Sequence, residues 1–305
     1  MADKILVLGA TGFVGGRTAR ALREEGFAVR CMVRRPDRAT DLAASGCEIV
    51  KGDLADAASL ITAFDGVRAA YITTHSLSPQ PKSAAGAGFM DVELAGLANI
   101  LAACKASGTR RLIYMTSLGV SPKARSLWLT ERWKGEQMLL HSGLDVTVIR
   151  PGMIIGRGGR GFDTMLANAG KTVAVTMGAG NKPMRGIAVD DLIYYLLGVL
   201  DEPRSFGHVY DVGNDEAPTL DQMTDIAARL MGRRPPIKIH IPRWLLKLIG
   251  PSAERRMGLP KGVMSGFLDG QDDDGVGDPA PIRGILPRPP ISFEDAVKRV
   301  LAAKG

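Results

Sequence analysis

Lys4-Ile5-Leu6-Val7-Leu8-Gly9-Ala10-Thr11-Gly12-Phe13-Val14-Gly15 is the stretch on which the fold turns. A short apolar run stops at a glycine, two more glycines follow at three-residue spacing, and a helical pattern over Gly12–Glu25 continues from them. Each glycine has a physical task in a strand–turn–helix of this kind. Gly9 permits the tight turn, Gly12 lets the backbone approach a pyrophosphate, and Gly15 allows close helix–strand packing. Unpaired N–H groups and the positive end of the helix then face an anion. Thr11, Phe13 and Val14 complete the candidate phosphate loop. A glycine pattern alone is a weak signal in a chain with 37 glycines. The strand before it and the helix after it make it a strong one.

Working outward, short β-branched runs alternate with helical stretches. Lys4–Leu8, Ala28–Val33, Glu48–Val50, Arg68–Thr73, Arg110–Thr116 and Asp145–Ile149 read as strands. Helical patterns fill the intervals, among them Asp56–Phe64, Phe89–Ala106 and Leu127–His141. Such alternation predicts parallel strands with right-handed crossovers, hence a Rossmann-like α/β fold with a doubly wound parallel sheet. Residues 1–232 are expected to form this core, with the Gly-rich stretch 156–185 contributing to the substrate side. Ten of the 18 prolines lie between Pro235 and Pro290. Repeated proline disfavours long helices, so 233–305 is expected to be a small irregular C-terminal lobe for substrate or partner. Within it, Ile237, Ile239 and Ile241 alternate with Lys238 and His240 as a half-buried strand, and Ser292 can cap a last helix.

The second strand runs into Arg34-Arg35, where a dinucleotide site for NAD would place an acid on the ribose hydroxyl. Two guanidiniums and no carboxylate suit a 2′-phosphate, so NADP(H) is favoured over NAD(H). Asp53 and Leu54 follow the third strand. Asp53 is placed to accept from an adenine amino group, with a helix cap as its alternative role. Thr73 closes the fourth strand and Pro151 follows the sixth, both at strand ends where open α/β sheets bind ligands.

The loop, the Arg34-Arg35 pair, Gly52-Asp53-Leu54 and Ile149-Arg150-Pro151-Gly152 together resemble the short-chain dehydrogenase/reductase superfamily, and more closely its atypical NAD(P)H-binding branch near the NmrA-like and complex I accessory-subunit groups. The resemblance implies a Tyr-x-x-x-Lys pair on a helix and a serine after the preceding strand. Ser117 fills the serine position and Lys134 the lysine position, where the lysine would also hold the cofactor ribose. Thr130 stands where the tyrosine belongs. A threonine hydroxyl is far less acidic than a phenol and reaches less far. Three readings stay open: a cofactor binder without catalysis, such as a regulator or accessory subunit; hydride transfer to an acceptor that needs no phenol, such as a quinone or enone; or another proton donor, from Tyr114, His75 and Lys134. The 76–88 loop beside His75 reads equally as a lid or a surface loop.

The formal net charge of +7 is uneven. Arg229–Lys261 holds nine Lys or Arg and one acid, Glu254, and the remainder is almost neutral. No nucleic-acid motif accompanies the charge, and no nucleic-acid partner is expected. The apolar, cationic stretch from Pro242 to Ile249 offers a membrane-surface or protein contact, with a pocket wall as its plainer alternative. Three scattered cysteines and four scattered histidines predict no metal site. With no secretory signal and no spanning run in this sequence, the expectation is a cytoplasmic NADP(H) oxidoreductase for a small or lipophilic acceptor, with peripheral membrane attachment open.

Overall fold

The alternating pattern folds into parallel strands joined by helical crossovers. The structure, a computed structural model, describes residues 4–74, 89–177, 180–257, 263–270 and 272–303. In chain order the first half comprises β1 (Lys4–Leu8), α1 (Phe13–Glu24), β2 (Ala28–Val33), α2 (Thr40–Ala44), β3 (Glu48–Lys51), α3 (Ala57–Phe64), β4 (Val67–Ile72), α4 (Phe89–Ser107), β5 (Arg111–Met115), α5 (Leu127–Leu140) and β6 (Asp145–Pro151). The second half comprises β7 (Met153–Ile155), α6 (Arg160–Ala169), β8 (Val173–Met177), β9 (Gly186–Ala188), α7 (Val189–Gly198), β10 (His208–Val212), α8 (Leu220–Leu230), β11 (Ile237–Ile241), α9 (Arg243–Met257), α10 (Val263–Gly270), α11 (Ala280–Ile285) and α12 (Phe293–Ala302).

Seven strands form the main sheet in the order β10-β6-β5-β4-β1-β2-β3. The pairings from β6 through β3 are parallel. The chain runs from β1 outward to β3, then restarts at β4 on the other side of β1. Ligands in such sheets sit at this reversal, beyond the carboxyl ends of the strands. Those ends are Leu8 in β1 and Ile72 in β4. Parallel sheets are covered on both faces, so their strands are continuously apolar. Accordingly Ile5, Leu6, Val7 and Leu8 are all fully buried, and Leu60, Phe64, Ile100 and Leu139 pack on one face.

The chain divides into two compact units. The first is Met1–Thr116, Glu131–Ile149 and Ile193–Tyr210; the second is Ser117–Thr130, Arg150–Leu192 and Asp211–Gly305. In the first, buried Arg111 ties β5 and β6 to the segment after α7. Its guanidinium donates to the carbonyls of Val199, Leu200 and Asp145 and to Thr147 Oγ1, at 2.6 to 2.9 Å. The Phe206 ring covers it at 4.3 Å. Burial lowers the Arg111 pKa to about 10. The second unit has two parallel strand pairs, β7 with β9 and β8 with β11, and a core containing Phe162, Met165, Met223, Phe293 and Val297.

Two expectations need correction. The 156–185 stretch is more regular than its glycines suggest, since α6 and β8 lie within it. Prolines do not prevent a long helix: α9 spans 15 residues with Pro251 inside. Gly250 precedes that proline, and without a Cβ it avoids much of the clash that normally bars helix there. Strand β11 forms over the expected residues, and the structure shows which of its faces is covered. Ile237 and Ile239 point outward, while Lys238 and His240 turn inward to Asp225 and Asp221.

Arg111→Met should cost on the order of 3 kcal/mol, because the carbonyls it satisfies stay buried without a donor. Chemical denaturation would register this as a lower midpoint at unchanged slope.

Candidate functional site

Gly9, at φ +85°, turns the chain out of β1. Its carbonyl accepts from Gly12 N at 2.9 Å, and Gly12 O accepts from Gly16 N at 3.0 Å. A Cβ on Gly15 would lie 2.4 Å from Gly9 O and 2.5 Å from Thr73 Oγ1, a space closed to any side chain. Helix α1 starts at Phe13 with no side chain capping it and no acid in its first turn. Its leading N–H groups and dipole are therefore presented to an external anion. Thr11 and Gly12 are exposed at this point, Phe13 is half-buried and Val14 is buried. Thr73 supports the loop from beneath: its hydroxyl donates to Leu8 O at 2.7 Å and its N–H to the same oxygen at 3.1 Å. The structure thus brings Gly9, Gly12, Gly15 and Thr73 together. Arg17, one turn into the helix, stacks over the Phe13 ring at 4.3 Å.

Beyond β2 the two arginines part company. Arg35 pairs with Asp37 at 3.1 Å and holds that carboxyl below its usual range. Arg34 is exposed, and Arg38 is exposed nearby. Asp53 is half-buried; one of its oxygens accepts from Ala55 N at 3.0 Å. The cap of α3 is Asp56 instead, which accepts from Ala58 N and Ser59 N. Leu54 is packed close to Gly96 on α4, and its carbonyl accepts from Asn99.

The residues matched to the dehydrogenase constellation are in varied states. Thr130 Oγ1 donates to the carbonyls of Ala124 and Ser126, both at 3.2 Å, and so serves to close the start of α5. Lys134 is half-exposed and pairs with Glu131 at 2.6 Å. Ser117 Oγ is buried and finds no hydrogen-bond partner among the described residues. Tyr114 is buried in β5 and donates to Glu93 Oε1 at 2.9 Å. Burial, reinforced by the Glu93 charge, pushes its pKa well up, which makes its phenol a weaker acid than usual. It belongs to a buried polar group in the first unit, where Arg132 lies 3.4 Å from Glu93 and Thr116 donates to Glu136 at 2.6 Å. His75 and the 76–88 loop lie outside the described residues.

In the second unit, Pro151 is buried and its carbonyl accepts from Leu118 N, next to Ser117. Gly152 presses on Arg185, whose carbonyl would be 2.1 Å from an added Cβ. Arg185 in turn donates to the carbonyls of Val276 and Asn214. Asp211 accepts from Asp278 N at 3.0 Å, and burial raises its pKa against the opposing pull of that bond and of Arg150. The acidic run Asp272-Asp273-Asp274 is structural: Asp273 accepts from Arg125 N and Ser126 N, and Asp274 from Val276 N and Gly277 N. Among the described residues no three His, Cys, Asp or Glu side chains are placed to share a metal ion.

A family profile described as NAD(P)H-binding matches residues 9–183, more than half of the chain. The chain belongs to this family. Family and fold together set it among the atypical short-chain dehydrogenase/reductases. Among relatives, a Streptomyces griseus (4-alkanoyl-5-oxo-2,5-dihydrofuran-3-yl)methyl phosphate reductase is 29% identical over 230 residues, covering 75% of this chain and 74% of that protein. Quinone oxidoreductase 2 of Escherichia coli is 26% identical over 239 residues, 75% of each. The photosystem II assembly factor Ycf39 of Cyanophora paradoxa is 32% identical over 146 residues, which is 48% of this chain and only 44% of that protein. The E. coli NADPH-dependent quinone oxidoreductase, solved with NADPH, shares the fold at a TM-score of 0.73 with 23% identity, over 97% of this chain and 99% of that one. The family is one of NAD(P)H-binding proteins, and the Gly9–Gly15 loop lies within the matched residues.

Two polar pairings were missed in the sequence. The Glu131–Lys134 spacing of three is a helix ion-pair signal that was there to be read. Glu93, Arg132 and Glu136 had no such signal, because their pairing joins α4, α5 and β5.

Gly15→Ala should destabilise the fold by about 1–3 kcal/mol and abolish dinucleotide binding. Gly161→Ala on α6, where an added Cβ meets nothing, should be neutral or stabilising by up to about 1 kcal/mol. Paired melting curves with and without NADPH would distinguish the two. Asp211 titrates with a raised folded pKa, so its ionised form costs the folded state. That cost is absent below the unfolded carboxyl value, about 3.9, and is complete once pH has risen through the folded value. Asp211→Asn should therefore stabilise the protein at neutral pH, and stability measured from pH 7 downward should show the gain vanishing as the carboxylate range is crossed.

Proposed function

We propose that the protein is an NADPH-dependent oxidoreductase that passes hydride to a small or lipophilic acceptor such as a quinone, an enone or another conjugated carbonyl compound. The uncapped start of α1 above the closed Gly9–Gly15 contact carries the cofactor half of this reading. Backbone N–H groups there suit a pyrophosphate, and Thr11, Gly12 and Phe13 border it. Arg34 is the proposed partner of the 2′-phosphate, with Asp53 and Leu54 at the adenine and Pro151 toward the nicotinamide. When bound, the nicotinamide supplies the hydride; this chain's residues bind, orient and move protons.

Support for the acceptor class comes from Thr130. Its hydroxyl is engaged with two carbonyls and is intrinsically a poor acid, which favours acceptors that need no phenol as proton donor. Lys134 is the proposed ribose contact, a role that requires exchange of its Glu131 pairing. Ser117, with a buried hydroxyl that has no partner among the described residues, is the proposed hydrogen-bond donor to the acceptor oxygen. Segments 156–185 and 233–305 are the proposed substrate and partner portion. The same Thr130 observation favours a second reading, a non-catalytic NADP(H)-binding regulator or accessory subunit.

Titration calorimetry should show NADPH bound more tightly than NADH. Arg34→Ala should weaken NADPH by about 10–100-fold and leave NADH unchanged, as expected for one charged hydrogen-bonding partner. Arg35→Ala should do less, since Asp37 holds that guanidinium. Equal affinities unaffected by Arg34→Ala would sink the 2′-phosphate assignment. NADPH oxidation across quinones, enones and aldehydes then separates the two functional readings. Thr130→Tyr is expected to add carbonyl reduction if the rest of the constellation is competent.

A further inference from the structure

Strands β8 and β11 pair in parallel with Ile237 opposite Val173 and Ile239 opposite Val175. Those four side chains share one face and are 67%, 39%, 52% and 50% exposed, in the order just given. Parallel strands are ordinarily covered on both faces, and an open face is ordinarily polar. Here the polar residues line the covered face. Lys238 Nζ pairs with Asp225 and His240 Nε2 with Asp221 at 3.0 Å, both acids on α8, while Ala174 and Thr176 are buried beside them. The Lys238–Asp225 ion pair and the His240–Asp221 contact both hold this facing, so the apolar side cannot turn inward without breaking them.

The apolar exposure continues along the chain. Helix α9 starts two residues after β11, and its Trp244 and Leu248, one turn apart, are 68% and 71% exposed. Cations accompany them: Arg229, Arg233, Arg234, Arg255 and Arg256 are exposed, and Lys171 is exposed just before β8. Glu254, the one acid between Arg229 and Lys261, is buried. The occupant of this surface must therefore combine an apolar part with negative charge. A second copy of the chain would bring like charges together, and a nucleic acid would leave the isoleucines and valines wet.

We propose that β8, β11 and the first turns of α9 form a face that rests on an anionic lipid bilayer. Ile237, Ile239, Val173 and Val175 enter the acyl boundary, Trp244 sits at headgroup depth, and the arginines meet anionic headgroups. Among the described residues no helix is long and apolar enough to cross a membrane, so the attachment is peripheral. This inference is independent of the cofactor and the acceptor.

Flotation of the full chain with phosphatidylcholine vesicles, with and without phosphatidylserine, tests it at low and high salt. The expected result is binding to the anionic vesicles, weakened by salt and absent on pure phosphatidylcholine. Ile237→Ser with Ile239→Ser, and separately Trp244→Ala with Leu248→Ala, should each weaken binding at least about tenfold. Because these positions are solvent-exposed, both variants should keep the wild-type melting curve and NADPH affinity. Arg233→Glu with Arg234→Glu should weaken binding and flatten its salt dependence. Wild type that fails to float with anionic vesicles would overturn the proposal, as would variants that all float like wild type. So would a dimer in sedimentation equilibrium that the Ile237→Ser, Ile239→Ser variant dissolves, since the face would then belong to a second copy.

Discussion

The contact between Gly15 and the Gly9 carbonyl, backed by the Thr73 hydroxyl, is the constraint on which the nucleotide half of the molecule rests. It joins three pieces of chain that are remote in role: the end of β1, the first turn of α1 and the end of β4. Because no Cβ fits there, α1 can lie directly on the sheet and start at the point where strand order reverses. That placement aims its unpaired N–H groups out of the carboxyl edge. A larger residue would push the helix away and lose both the packing and the anion site. Thr73 donates twice to Leu8 O and keeps the β1 and β4 ends in step, so its contribution is to the shape of the cradle.

The proton-transfer side is built differently. A dehydrogenase that protonates a carbonyl oxygen relies on a phenol whose pKa a nearby lysine lowers. In this chain the hydroxyl at that position is aliphatic and satisfies two carbonyls at the start of α5. The one nearby phenol with a suitable sequence position, Tyr114, is bound to Glu93 and shifted the wrong way by burial. The Glu93, Arg132, Glu136 and Thr116 side chains around it make α5 expensive to displace, because separating buried charges costs about 3–5 kcal/mol.

Much of this was legible in the sequence because it is local. Strand periods, glycine spacing in the loop and the Ser292 cap each lie within a few residues, and Ser292 does accept from Asp295 N. What was not legible depends on partners far along the chain. Asp273 supplies the N–H acceptors at the start of α5 from 147 residues or more away, and Arg111 gathers carbonyls from 34 to 89 residues away. The Arg34-Arg35 pair looked symmetric until Asp37 took one member. Proline content was over-read, since a glycine before Pro251 was enough to let α9 continue.

Strand β11 shows the sharpest limit. Alternation says which residues share a face; it cannot say which face is inside. That choice was made by Asp221 and Asp225 on α8, which pair with His240 and Lys238 and so fix the register from another element. The consequence is unfavourable on its own terms. Fully burying an Ile or Val side chain is worth roughly 1.5–3 kcal/mol, and four of them in register stay 39% to 67% exposed. Surface ion pairs, at about 0–1 kcal/mol, do not repay that loss even when partly shielded. An arrangement that forgoes so much burial is sensible only if the outward face is covered in its working state, and the exposed arginines of the same stretch of chain favour an anionic cover.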